Sequence, residues 1–319
     1  MRVLHLTNMW PSSGSPHAGT FVVNLVEGLV RKGVACEVLS IERWRSKLEY
    51  LRALPRLFRM VRDERFDLVH AQYAHSVLLA HAQRMVPVVG HFHGELHDGH
   101  GRKDYALAQL AARLTRHLIV VDQRSAERVR SPHLQVIPIG VDTDRFRPMD
   151  RIEARRRLGL DVDRPYVLFS SDPARPEKDY PLFRRALRAI QQRVPSAREF
   201  VLHGHDYYLV PTILNAVDVL VMTSRAEASP TVVKEAILCN LPVVSTDVGD
   251  VRLRLTGVHP AAVLGRDADA LAGAASAILL SGHRSNGRSR APDVDLERTA
   301  EKMVSFYAEA VAIERRVSR

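Results

Sequence analysis

The sequence predicts an α/β chain built as two parallel-sheet domains, and three observations carry this. Short apolar runs rich in Val, Ile and Leu alternate with segments of helical periodicity. Loops rich in Gly, Pro and small polar residues follow several of those runs. The alternation restarts beyond a turn-rich stretch, GVDTDRFRPMD, residues 140–150. Alternation of this kind puts the strands parallel, with helices covering both faces. A length of 319 residues suits two domains of about 150 residues each.

Val3–Leu6 reads as the first strand. The loop NMWPSSGSPHAG cannot be helical, because it holds two prolines, two glycines and several small polar residues. From Thr20 the period becomes helical: Phe21, Leu25, Gly28 and Leu29 share a face, and Arg31-Lys32-Gly33 supplies a basic last turn and a stop. Ala35–Ile41 reads as the next strand and completes a βαβ unit. Further strands are expected at Phe66–His70, Val86–His91, Leu118–Val121 and Gln135–Ile139, with helices at Ser76–Arg84, Ala106–Arg116 and Ser125–Arg130. In the second half, strands are expected at Tyr166–Phe169, Glu199–His203, Val219–Met222 and Pro242–Ser245. Helices are expected at Arg151–Leu158, Leu182–Val194, Val210–Ala216, Pro230–Cys239 and Asp269–Leu280, and a long one at Asp295–Arg315. The expected domains are 1–150 and 151–294, with 295–319 as a terminal helix. Ligand-like loops after strands in both halves predict a cleft between them.

The composition, 46% apolar and 26% charged, is that of a globular chain, and the formal charge of +10 favours anionic partners. The only two cysteines, Cys36 and Cys239, sit in apolar surroundings without metal-ligand spacing and read as buried thiols of a reducing compartment. The first residues, MRVLHLTNMW, lack the apolar run of a signal peptide, and no segment reaches 18 apolar residues. A cytoplasmic location is therefore expected. No zinc-finger spacing, recognition-helix motif or aromatic-interleaved basic patch appears, so a nucleic-acid partner is not expected. Histidines 70, 75, 91, 93, 97 and 100 cluster near strand ends, but no HExxH or comparable spacing appears and no metal is expected.

Residues 44–65, WRSKLEYLRALPRLFRMVRDER, place Leu48, Leu51, Leu54, Leu57, Phe58 and Val61 at roughly helical spacing among basic residues, with Pro55 as an interruption or kink. Two readings stand. The segment lies on an anionic membrane, at the inner face of the plasma membrane, or its apolar stripe packs on the sheet.

EASPTVVKE, residues 227–235, also carries two readings. Ser229 suits an N-cap and Pro230 a first helical position. The N–H groups of Thr231, Val232 and Val233 would then face outward at the positive end of the helix, a seat for phosphate. Glu235 could accept hydrogen bonds from sugar or ribose hydroxyls. The plainer reading is an ordinary loop-to-helix junction with an acidic residue near its start. Arg175 and Lys178, in the loop after Phe169, could clamp a diphosphate or simply face water. The Gly14–Gly19 loop resembles a phosphate-cradling turn only loosely.

Taken together, these stretches resemble the retaining GT-B glycosyltransferases of family 4, also called group 1. The resemblance rests on E-x7-E at Glu227 and Glu235, the following AILCNLPVVSTDVGD, VIPIGVDTDRFRP at 136–148, PEKDYPLF at 176–183, LNAVDVLVMTS at 214–224, and the opening RVLHLTNMWP and HAGTFVVNLVEGLVRKGVACEVL. It implies two Rossmann-like domains facing each other across a deep cleft. The second would hold a UDP- or GDP-sugar, the first would bind the acceptor, and the final helix would cross back onto the first. Residue by residue, it puts Glu235 on the donor ribose, Glu227 on the transferred sugar, Lys178 on the diphosphate, His93 near the reacting sugar and Gly19 beside the diphosphate. Arg175, Thr231, Val232 and Val233 would join the diphosphate site, and Ser229 the donor site. His97, His100 and Lys103 would line an acceptor site. The implied reaction moves a hexosyl group, with retention, to a hydroxyl of a glycan, glycolipid or small metabolite, with no cofactor and no metal. His93, Glu227 and Lys178 would carry the chemistry.

Three departures stand out. Pro173 and Asp172 occupy the positions where the family commonly has an arginine, whose charge Arg175 would replace. Ala228 stands where many members have glycine, and the chain is short for the fold. The alternatives are a catalytically lapsed donor-binding protein, a non-enzymatic polyanion binder, or an epimerase or phosphorylase of the same fold.

Overall fold

The computed structural model describes residues 1–12, 19–97, 101–291 and 294–317. The chain divides into two units, Met1–Gly140 with Asp295–Arg319, and Val141–Val294.

The first unit contains β1 (Arg2–Thr7), α1 (Thr20–Arg31), β2 (Ala35–Ser40), α2 (Glu49–Asp63), β3 (Leu68–Gln72), α3 (Ala74–Ala80), β4 (Val88–Phe92), α4 (Arg102–Leu114), β5 (His117–Val120), α5 (Gln123–Arg128) and β6 (His133–Val136). The second contains α6 (Arg151–Arg157), β7 (Tyr166–Phe169), α7 (Tyr180–Arg193), β8 (Arg198–Val201), α8 (Val210–Ala216), β9 (Val219–Met222), α9 (Thr231–Leu238), β10 (Val243–Thr246), α10 (Val251–Arg254), β11 (Ala261–Leu264) and α11 (Ala268–Ser281). The terminal helix α12 (Leu296–Val317) belongs to the first unit.

Both sheets are wholly parallel. Their orders are β2-β1-β3-β4-β5-β6 and β11-β10-β9-β7-β8. Each therefore reverses direction of growth once, between β1 and β3 and between β7 and β9. In open parallel sheets such a reversal leaves a crevice beyond the strand ends, where ligands bind.

Alternation along each strand explains why helices cover both faces. Leu4 and Leu6 of β1 point into the core formed with α2, α3 and α4, which includes Leu57, Val77 and Ala108. Val3 points the other way, into the core of α1 and α12 with Leu25, Leu29, Met303 and Phe306. The second unit repeats this: Leu168, Leu220 and Val243 pack towards α8 and α9, and Val167, Val219 and Val244 towards α7 and α11. α12 sits close against α1 because Gly28 presents no side chain; a Cβ there would lie 3.0 Å from Leu296 Cγ.

Three local expectations are corrected. Pro55 does not break α2, which runs unbroken from Glu49 to Asp63. Its Ala53, Leu57 and Val61 are buried on the sheet, and that contact holds the helix through the missing N–H. Ser229 is not an N-cap: Pro230 holds that position and no side chain caps α9. β11 and α10 were not expected from the sequence at all. β11 is a half-buried edge strand of four residues, AAVL, without an alternating pattern to mark it.

Candidate active site

In the second unit, Lys178 follows β7 and Glu227 follows β9, the strands on either side of the reversal. The chain leaves β7 through a loop and a short 3-10 turn, Pro176–Lys178. Thr223, just past β9, donates from Oγ1 to the carbonyls of Lys178 and Asp179 at 2.9 and 3.1 Å. That fixes the lysine backbone. Asp179 has a left-handed backbone, caps α7 through Leu182 N–H, and is held by Arg266 and Arg225. The Lys178 side chain then meets Glu227: Nζ donates to Oε1 at 2.5 Å, and Ser224 Oγ donates to the same oxygen at 2.7 Å. Both charged side chains are largely covered, at 17% and 14% exposure. The solvent screening that weakens exposed pairs is thus reduced.

The loop that carries Glu227 is clamped from behind. Asp250 N–H donates to Ala228 O at 3.0 Å, Ser229 Oγ donates to Asp250 Oδ2 at 2.7 Å, and Arg254 Nε donates to the same oxygen at 2.8 Å. Gly249 allows this approach. Its φ is +55°, and a Cβ there would lie 2.3 Å from Ala228 O. The hydroxyl of Ser229 is thus engaged with Asp250 rather than with the helix.

α9 starts immediately afterwards. Val233 N–H donates to Pro230 O at 3.2 Å, so it is not the outward donor expected; Thr231 and Val232 keep that position at the positive helix end. Glu235, one turn in, is buried, and burial pushes its pKa up to about 7 against the opposing charges of Lys234 and Arg145. Arg145 also lies over the rings of Tyr207 and Tyr208, at 5.5 and 5.2 Å from their centroids. Arg175 stands apart from the lysine pair. It is 54% exposed and donates to Glu177 at 2.7 Å.

In the first unit, Gly19 precedes α1 with φ +66°, and a Cβ there would lie 2.0 Å from Met9 O. Only glycine fits, because the loop after β1 folds directly over it. Residues 13–18, including Gly14, lie outside the described residues. His93 follows β4. Its ring centroid lies 4.9 Å from Phe21, 5.0 Å from Tyr73 and 4.1 Å from His91. Burial pushes its pKa down to about 3, so the ring is neutral. Glu95 shapes this turn, accepting from the N–H groups of His93 and Gly94 at 2.7 and 2.9 Å and of Ala74 at 3.0 Å. His97 is buried, with Nε2 at 2.9 Å from Asp122 Oδ2, and Lys103 is exposed on the first turn of α4. His100 lies outside the described residues.

Glu95, Arg145, Asp179, Gly249, Asp250 and Arg266 received no role from the sequence. Gly249 and Asp250 close the family-like run 236–250, so a signal was present there. Asp179 and Arg266 are 87 positions apart, and nothing local links them.

Among the described residues no group of three His, Cys, Asp or Glu side chains could hold a metal ion. Among the described residues no helix is long and apolar enough to cross a membrane.

Comparison with known proteins decides the family. The model for Glycosyltransferase Family 4 matches residues 18–145, and that for Glycosyl transferases group 1 matches residues 184–281. The chain belongs to the group 1 glycosyltransferases. It is 24% identical to the putative teichuronic acid biosynthesis glycosyltransferase TuaC of Bacillus subtilis, over 81% of this chain and 84% of that protein. It is 31% identical to a D-inositol 3-phosphate glycosyltransferase of Geodermatophilus obscurus over 55% of this chain, a match spanning 47% of that protein. Sucrose-phosphate synthase from Thermosynechococcus elongatus superimposes with TM-score 0.79 at 18% identity, covering 98% of this chain and 99% of the other. Anabaena HepE, solved with UDP and glucose, superimposes with TM-score 0.74 at 18% identity, covering 97% and 99%. These likenesses show that this glycosyltransferase has the GT-B fold.

Proposed function

We propose that this glycosyltransferase moves a hexosyl group from a UDP- or GDP-sugar to an acceptor hydroxyl, with retention at the anomeric carbon. The observation that carries the reading is the Lys178–Glu227 pair, set by β7 and β9 beside the start of α9. Lys178 and the N–H groups of Thr231 and Val232 stabilise the negative charge that grows on the leaving diphosphate. Arg175, now paired with Glu177, swings in as a second cation. Glu227, with Ser229 near it, takes the hydroxyls of the transferred sugar, and Glu235 takes the ribose. His93 donates to the sugar and Gly19 lets the backbone approach the diphosphate. With a cation and a helix dipole on the diphosphate, no metal is required. UDP-glucose binding by HepE supports the donor class.

The acceptor is a hydroxyl of a glycan, glycolipid or small metabolite. The names of TuaC and of the D-inositol 3-phosphate glycosyltransferases fit the first and last of these. Exposed Lys103 contributes to an acceptor surface. His97 contributes only by releasing Asp122.

The reading places the enzyme in the cytoplasm, at an anionic membrane surface. α2 and the residues before it support this: one stripe of α2 is buried, while Leu51 and Phe58 on it, and Trp44 and Leu48 before it, are 63%, 41%, 51% and 57% exposed, with Arg52, Arg56, Arg59 and Arg62 in the same segment. At about 1 kcal/mol per basic residue, these arginines suffice for reversible attachment. The protein should float with phosphatidylserine vesicles and not with phosphatidylcholine vesicles; equal behaviour in both discards the membrane reading.

Slow donor hydrolysis tests the reaction class. Proton NMR of a UDP- or GDP-α-hexose incubated with the protein should show the α-anomer of free hexose appearing first. Initial β-anomer would contradict retention.

A further inference from the structure

One face of the first sheet changes character along its strands. Near the strand starts it is apolar: Val3, Leu68 and Val89 pack with Ile119 against α1 and α12. Further along it is imidazole. His5 of β1 lies directly across from His70 of β3, and His91 follows Val89, the β4 partner of His70, by two positions on the same face. The three are 0%, 0% and 1% exposed. Such a layer of buried imidazoles is costly unless it is hydrogen-bonded.

Part of it is bonded in a chain that starts on the terminal helix. The Tyr307 hydroxyl, fully buried, lies 2.6 Å from His70 Nδ1, and His70 Nε2 lies 3.2 Å from His91 Nδ1. His91 Nε2 and both ring nitrogens of His93 are buried and have no hydrogen-bond partner among the described residues. Burial, with the neighbouring rings adding to it, holds the pKa of His70 and His91 well below the usual range. Each ring is therefore neutral, with one donor and one acceptor nitrogen. A neutral chain of this kind has a direction. A phenol is a stronger acid than a neutral imidazole N–H, so Tyr307 donates to His70 Nδ1. His70 then carries its proton on Nε2 and donates to His91 Nδ1. His91 is left with its proton on Nε2.

We propose that Tyr307 fixes the tautomers of His70 and His91, so that His91 presents an Nε2–H beside the His93 ring and orients it. Tyr307 and His70 are positioning residues acting through His91. An N–H dipole on a ring 4.1 Å away favours the His93 tautomer whose bare nitrogen is the one nearer that N–H. The catalytic consequence rests on the reading of His93 as a sugar contact; the tautomer chain does not.

The test is long-range proton–nitrogen NMR of ¹⁵N-histidine-labelled protein at neutral pH, assigned with single His→Gln variants. In the unsubstituted protein His70 and His91 should both appear as Nε2–H tautomers. An Nδ1–H tautomer at either ring overturns the proposal, with no variant needed. Tyr307→Phe keeps the ring in the core and removes only the hydroxyl. It should release the fixed tautomer at His70 and His91 and lower donor hydrolysis roughly tenfold through kcat, with KM unchanged, the equivalent of one hydrogen bond lost. Unchanged tautomers in Tyr307→Phe overturn the proposal; altered tautomers with unchanged kcat overturn the positioning role. His93→Ala is measured alongside. If it leaves hydrolysis intact, the sugar-contact reading fails while the tautomer result stands by itself.

Discussion

Lys178→Ala should lower the rate of donor cleavage by about 10²–10³-fold, or about 3–4 kcal/mol of transition-state stabilisation, the size typical of one group aimed at developing charge. The backbone at 178 is pinned by Thr223 Oγ1, and Asp179 is pinned separately by Arg266 and Arg225. The substitution therefore removes an ammonium group without loosening the loop. The effect should fall on kcat, because charge on the leaving diphosphate grows as the glycosyl bond breaks. Arg175→Ala is the comparison. Its guanidinium is exposed and paired with Glu177, so its loss should cost less than that of Lys178. Steady-state kinetics of both variants checks this. Lys178→Ala within threefold of the unsubstituted enzyme would remove the lysine from the chemistry.

Glu235 should make both stability and nucleotide affinity depend on pH, in opposite senses. Burial raises its folded-state pKa from 4.5 to about 7. The folded protein thus prefers the neutral acid. The stability tied to this group is fully present below the unfolded pKa of 4.5 and is lost progressively as pH rises from there to about 7. Above that, Glu235→Gln should be the more stable protein, by up to about 3 kcal/mol. Binding runs the other way. An ionised carboxylate accepts hydrogen bonds from vicinal ribose hydroxyls better than a neutral acid does. Nucleotide affinity should therefore weaken as pH falls below about 7, by at most tenfold per unit, and Glu235→Gln should bind weakly with a flat profile. Urea melts between about pH 4 and pH 8 read the first, and calorimetric titrations between about pH 6 and pH 8 the second. A flat profile in the unsubstituted protein would show that Glu235 does not meet the nucleotide as an anion.

The sequence made the fold legible where burial is two-sided. Runs such as VLVM at β9 and VVST at β10 are apolar or small throughout because both faces of a parallel sheet are covered. β11 escaped because it is an edge strand, half-buried along its length. Pro55 marked a break that α2 does not make, since tertiary contact outweighs one missing hydrogen bond. Ser229 looked like a cap by local preference, but Asp250, 21 positions later, takes its hydroxyl. The E-x7-E spacing and the lysine loop were readable as motifs. That Lys178 and Glu227 touch was not, because 49 positions separate them and only the β7–β9 pairing brings them together. The Tyr307–His70 contact spans 237 positions and left no local sign.

Calorimetric titration with UDP, GDP and their hexose conjugates, with and without Mg²⁺, bears most directly on the proposed donor site in the second unit. Saturable binding of one nucleotide without Mg²⁺, lost in Glu235→Ala and weakened in Lys178→Ala, is the expected result. Folded protein that binds none of them, or binds one equally well in both variants, would contradict a donor site built on 178, 227 and 235.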